Sequence, residues 1–184
     1  ASGRVQLHLK QDFTHYEDLA AELGEVNTVL WGLGTSSLLV DDATYTRIHV
    51  DFPLAFATAW LNARAQAPMS IHNVTGMGTD PAGREHWARE KGRTEQTLAA
   101  MAEGSGLRSY SYRSAFVRPT SEQANPAHYL LAALLAPGSL VISADELGAA
   151  MLEISARGNE LANGSLIDNA DSIAYARAYR ESMD

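Results

Sequence analysis

The sequence predicts an α/β fold built on a mainly parallel sheet covered by helices on both faces. Three observations carry that prediction. Short β-rich apolar runs alternate with helical stretches along the chain, the pattern of strand–crossover–strand units. VNTVLWGLG (26–34) reads as a buried-type strand running into a glycine turn. Small polar residues follow the strands: Gly32, Gly34, Thr35 and Ser36 after one, Thr75, Gly76 and Gly78 after the next. Ligands of such sheets bind outside the carboxyl ends of the strands.

The elements follow in order. VQLHL (5–9), polar at every second place, reads as a short strand. Residues 12–23 form a helix with a cap at Thr14 or Asp12, ending at Gly24. After the strand at 26–34, residues 43–67 form a long helix that Pro53 bends or breaks, because proline has no N–H for the bond to residue i−4. MSIHNVTGMGTD (69–80) is a strand ending in small polar residues, and 83–103 is a helix stopped by GSG. LRSYSYRSAFVRP (107–119) is a strand leaving into a proline turn. NPAHYLLAALLA (125–136) is a short apolar helix, LVIS (140–143) a short strand, and 144–158 a capped helix. SLIDN (165–169) is extended before a C-terminal helix at 171–182.

Composition bounds the function. The 184 residues, 46% hydrophobic, suit one domain, taken as 1–184. No apolar run approaches the roughly 20 residues a bilayer demands, and ASGRV lacks a leader pattern, so no membrane partner is expected. With 14 basic against 22 acidic residues the net charge is −8, which repels phosphate backbones; no nucleic-acid partner is expected. Cysteine is absent, which removes thiolate chemistry and fits a reducing, cytoplasmic setting. The six histidines show no metal spacing, so no metal site is expected. Asp41, Asp42, Asp168 and Asp171 read as turn and cap residues, and Ser36 and Ser37 lack a nucleophile elbow.

The stretch HWAREKGRTE (86–95) holds the candidates. Trp87 and Lys91 stand four apart and therefore share a helix face. By itself Lys91 also reads as a surface lysine near Glu90 and Glu95, Thr75 as a strand-end hydroxyl capping a turn, and Trp87 as packing.

HLKQDF, VLWGLGTSS, NVTGMGTD, WAREKGRTE, YRSAFVRP and SADELGAAMLEI…LIDN, taken in this order over nearly the whole chain, resemble the atypical short-chain dehydrogenase/reductase family. The resemblance is to its compact NAD(P)-binding, epimerase-like members related to TIP30. It implies a Rossmann-like three-layer sheet and NAD(P) as cofactor. The chain starts just before the family's third strand, so the fold is expected in truncated form, without the opening strand–helix–strand unit and its G-x-x-G-x-x-G loop. Gly32, Gly34 and Thr35 would line the cofactor, and Thr75 would offer its hydroxyl to a substrate carbonyl. The WxxxK piece stands where the family has Tyr-x-x-x-Lys, so Lys91 would hold the nicotinamide ribose and Trp87 replaces the proton donor. Indole has no usable acid–base pKa, so water or Tyr110 would supply the proton. Ser114-Ala115 stands where relatives carry Pro-Gly beside the nicotinamide. Without the first two strands, VQLHL pairs directly with VNTVLW or another chain fills the gap, making a homo-oligomer. Two readings follow: an NAD(P)-binding oxidoreductase or epimerase-like protein acting on a small-molecule carbonyl, or a non-catalytic binding or assembly protein on the same fold.

Overall fold

Four parallel strands form the sheet: β1 (Thr28–Trp31), β2 (Met69–Val74), β3 (Leu107–Arg113) and β6 (Ser165–Asp168), in spatial order β1-β2-β3-β6. The computed structural model describes residues 5–64, 68–118, 129, 133–135, 140–158 and 160–183. The predicted α/β class and parallel sheet are both present. The expected helix at 125–136 lies almost wholly outside the described residues.

Two apolar cores sit on opposite sides of the sheet, and strand alternation assigns residues to them. Met69 and Ile71 of β2 and Leu107 of β3 join Trp60, Leu98 and Leu23 on one side. That face is covered by α1 (Ala20–Glu25), α3 (Phe52–Ala63) and α4 (His86–Ala102). Tyr110 and Tyr112 of β3 join Ile142, Met151, Ile154 and Ile167 on the other. Here α5 (Ala144–Ala156) and α6 (Asn169–Glu181) cover the sheet. Helix α5 starts on a capping box: Ser143 Oγ accepts from Glu146 N while Glu146 Oε2 accepts from Ser143 N.

A polar ladder ties the second face together. Tyr112 O–H faces His72 Nδ1 at 2.8 Å, and His72 Nε2 meets Ser155 Oγ at 3.0 Å. Ser155 Oγ donates to Met151 O, so Nε2 is the protonated nitrogen and Nδ1 accepts from the phenol. Full satisfaction is what permits so polar a row in the core. Burial holds His72 down at about 4.

Several elements differ from expectation. Residues 5–9 form no strand: Val5, Leu7 and Leu9 are 83%, 82% and 88% exposed, and among the described residues β1 has only β2 beside it. Alternation supplies an apolar face, but a strand exists only through its ladder, and these residues have none. The helix expected from residue 12 begins at Glu17 as a single tight turn, because Asp12 Oδ1 takes Thr14 N and Oγ1 in a local turn.

Pro53 does not break its helix. Residues 42–63 run on as α2 (Asp42–Thr46), a wide π-turn (Arg47–Asp51) and α3, with helical dihedrals at each junction. The carbonyl four residues before Pro53 belongs to His49; it accepts instead from Thr94 Oγ1 of α4 at 2.7 Å. The stretch 107–119 splits at Ser114 into β3 and β4 (Phe116–Arg118). β4 pairs in parallel with β5 (Val141–Ser143) in a separate two-stranded sheet that local patterning had not indicated.

Candidate functional site

Helix α4 approaches the loop after β2 unusually closely. A Cβ at Gly92 would lie 2.5 Å from Pro81 N, so only glycine lets the helix seat there. One residue earlier, Lys91 is half-buried, and its Nζ donates to the main-chain carbonyl of Thr75. Burial drops the Lys91 pKa to about 8, opposed by the negative charge of Glu95. Gly76, at φ +121°, passes between Lys91 Nζ and Ser114 O, which a Cβ there would meet at 3.7 and 3.8 Å.

Lys91 forms one wall of an open cleft of about 640 Å³ at the carboxyl ends of β1 and β2. Gly32, Gly34, Thr35 and Ser36 of the loop after β1 line it with His49 and Val74. His49 pins that loop. Its Nε2 lies 2.9 Å from Thr35 O and 3.2 Å from Thr35 N, and its ring stacks on the buried Tyr45. A Cβ at Gly34 would be 2.9 Å from His49 Cε1, so a side chain there would push the imidazole aside. Burial holds His49 below the ordinary histidine range; the Thr35 carbonyl opposes that, and the Lys91 charge adds to it.

Of the residues singled out in the sequence, Gly32, Gly34, Thr35 and Lys91 therefore share one cleft. Thr75 joins them by its carbonyl. Its hydroxyl points elsewhere: Oγ1 donates to Glu95 Oε1 at 2.7 Å, buried between sheet and helix. The expectation of a hydroxyl offered to a substrate is revised accordingly, since residue 75 follows Val74 onto the helix-α4 side of the sheet. Trp87 lies over Gly78, whose added Cβ would meet its ring at 3.2 Å. Ser114 is buried behind Gly76; its carbonyl accepts from Met77 N, and its Oγ has no partner among the described residues. Tyr110 is no proton donor for this cleft: it lies in the opposite core, its phenol on Gly158 O and Leu161 O. His49 was noted in the sequence only as one of six histidines. It stands 42 residues before Lys91, and no spacing rule links the two.

The cleft fits part of a nicotinamide dinucleotide. Lys91 has three N–H donors and uses one on Thr75, leaving two for a ribose diol. Ser114 Oγ, a buried hydroxyl without a partner among the described residues, lies outside the cleft lining. The helix end beside the glycine loop offers a pyrophosphate no seat. The helix after the glycine loop, α2, already has its N-terminus capped by Asp41, whose Oδ1 accepts from Thr44 N at 2.8 Å. That carboxylate repels an anion at this helix end. Among the described residues no cluster of His, Asp and Glu has metal-binding geometry. None of the described helices is long and apolar enough to cross a membrane.

Comparison with known proteins places the fold. No family model matches the chain, and no curated protein sequence does. Solved structures do. The chain is similar to UDP-N-acetylglucosamine 4-epimerase from Methanobrevibacter ruminantium (TM-score 0.60, 17% identity, 86% of this chain and 59% of that one). It is similar to a short-chain dehydrogenase from Streptomyces avermitilis (0.60, 16%, 95% and 74%). It also resembles the dTDP-glucose 4,6-dehydratase DesIV from Streptomyces venezuelae, solved with NAD bound (0.60, 14%, 94% and 62%). The chain spans 59% of the first of these, and at such identities the likeness establishes a Rossmann-like fold alone.

Proposed function

We propose that this chain carries the nicotinamide side of an NAD(P)-binding site, in a short-chain-dehydrogenase-like oxidoreductase or epimerase of the TIP30-related kind that acts on a small-molecule carbonyl. One observation carries the reading: a half-buried ammonium group stands at the carboxyl-end cleft, opposite a glycine loop pinned by an imidazole. The cofactor, when bound, supplies or takes up the hydride. Lys91 holds its ribose, while Gly32, Gly34 and Thr35 let a flat ring approach the backbone. Ser114, buried behind Gly76, backs the loop after β2 through its carbonyl. Trp87 orients by packing and moves no proton. Proton exchange falls to His49, the other titratable side chain lining the cleft. A cytoplasmic setting accords with the absence of cysteine, and a homo-oligomer with an edge of β1 that no described strand covers.

Fluorescence titration with NADH and NADPH tests this. The expected result is saturable binding that weakens roughly tenfold in Lys91→Met, about 1.4 kcal/mol. A wild-type chain that binds neither cofactor at millimolar concentration sinks the reading. The second reading, a binding or assembly protein without cofactor chemistry, would then hold. Trp87 in the acid's position and Asp41 on the helix end both favour it.

A further inference from the structure

Glu95 lies one turn beyond Lys91 on α4 and is almost fully buried. A buried carboxylate is costly unless it is both paired and hydrogen-bonded. Here it is both. Arg113, the last residue of β3, donates from Nε to Oε1 at 3.1 Å and from Nη2 to Oε2 at 2.7 Å. Thr75 Oγ1 donates to Oε1 at 2.7 Å. The same threonine presents its main-chain carbonyl to Lys91 Nζ, while its N–H is held by Tyr112 O at 3.0 Å. Every polar group of Thr75 is thus committed, and its hydroxyl also lies 3.3 Å from Tyr112 O.

We propose that Glu95, clamped by Arg113, is the positioning residue of the cleft: through the Thr75 hydroxyl it fixes the peptide carbonyl that holds the Lys91 ammonium group at the cleft wall. Its functional meaning rests on Lys91 as the cofactor-holding group. The contact chain itself is independent of any cofactor. Arg113 makes the clamp specific, because a planar guanidinium grips both carboxylate oxygens and a lysine there could not. The charges facing Lys91 are few: Glu95 on its own helix, His49 from the π-turn, and Arg113 behind Glu95, itself beside Asp80.

The sequence makes the test clean, since its only lysines are Lys10 and Lys91. Lysine labelled with ¹³C at the ε-carbon yields two signals, and the pH titration of one reports Lys91. The wild-type midpoint is expected near 8. Glu95→Gln removes the opposing negative charge and moves that midpoint lower. Thr75→Val also displaces the Lys91 signal, and Thr75→Ser, which keeps the hydroxyl, restores it. In the same variants NADH or NADPH affinity falls about five- to tenfold for Glu95→Gln and Thr75→Val and stays near wild type for Thr75→Ser. A Lys91 signal and midpoint unchanged in Thr75→Val overturns the proposal, whatever happens to the melting temperature, because the Glu95→Gln shift also follows from charge alone. Should Glu95→Gln fail to fold, the two Thr75 variants decide. If no variant and no wild type binds cofactor while Lys91 still answers to Thr75→Val, the positioning inference stands and the cofactor reading falls. Cofactor binding that depends on Lys91 but not on Glu95 or Thr75 gives the reverse.

Discussion

Replacing Gly92 with alanine should destabilise this protein, although alanine is the better helix former. The residue lies inside α4, where exchanging glycine for alanine ordinarily gains up to about 1 kcal/mol. The new Cβ would stand 2.5 Å from Pro81 N and 2.8 Å from Pro81 Cα and Cδ. Comfortable contacts are about 3.5–4.0 Å, so helix and loop must part by about 1 Å. Two of those atoms are backbone and cannot rotate away. Overpacking of this kind costs roughly 1–3 kcal/mol, and backbone on both sides places the site toward the upper end. The net loss is then about 1–2 kcal/mol, a fall of roughly 2–8 °C in melting temperature for a chain of this size. Gly148 supplies the control. It sits inside α5 with nothing described within 4 Å of an added Cβ, so Gly148→Ala should stabilise by about 0.5–1 kcal/mol. Thermal and urea unfolding of the two variants measure both signs. If Gly92→Ala is as stable as wild type, or both variants move alike, the close approach of α4 to Pro81 is wrong.

Two other outcomes are expected. Thr94→Val removes the donor that serves the His49 carbonyl in place of the missing Pro53 N–H, a cost of about 1–3 kcal/mol. Pro53→Ala restores a backbone donor, so the same substitution should cost less in that background; a urea double-mutant cycle that closes additively within about 0.3 kcal/mol counts against the compensation. His72, held at about 4 against an ordinary 6.5, cannot take up a proton in the folded state through a range where the unfolded chain does. Stability should therefore fall as pH drops from 6.5 toward 4, by at most about 3 kcal/mol from this group. Ring-proton NMR shows whether His72 stays neutral over that range, and a midpoint near 6.5 would refute its place in the core ladder.

What the sequence by itself determined is whatever its local periodicity can carry. The alternation in MSIHNV and LRSYSY sends residues to opposite cores, as the structure has them. The i,i+4 spacing of Trp87 and Lys91 and the glycines after VLW were legible for the same reason. Asp41 and Asp168 cap helices as their residue types imply, each accepting from the backbone N–H three residues on. The tertiary structure decided everything that depends on a partner distant in sequence. VQLHL has the pattern of a strand and no ladder to join. Pro53 keeps its helix because Thr94, 41 positions on (94 − 53), satisfies the carbonyl that proline leaves free. His49 enters the cleft, and the Thr75 hydroxyl turns to Glu95, through packing of α4 against β2 and β3. Residue types along a chain report which faces are apolar. Which hydrogen-bond partner each buried polar group finds is settled only when those faces close, because an unpaired one costs too much to remain.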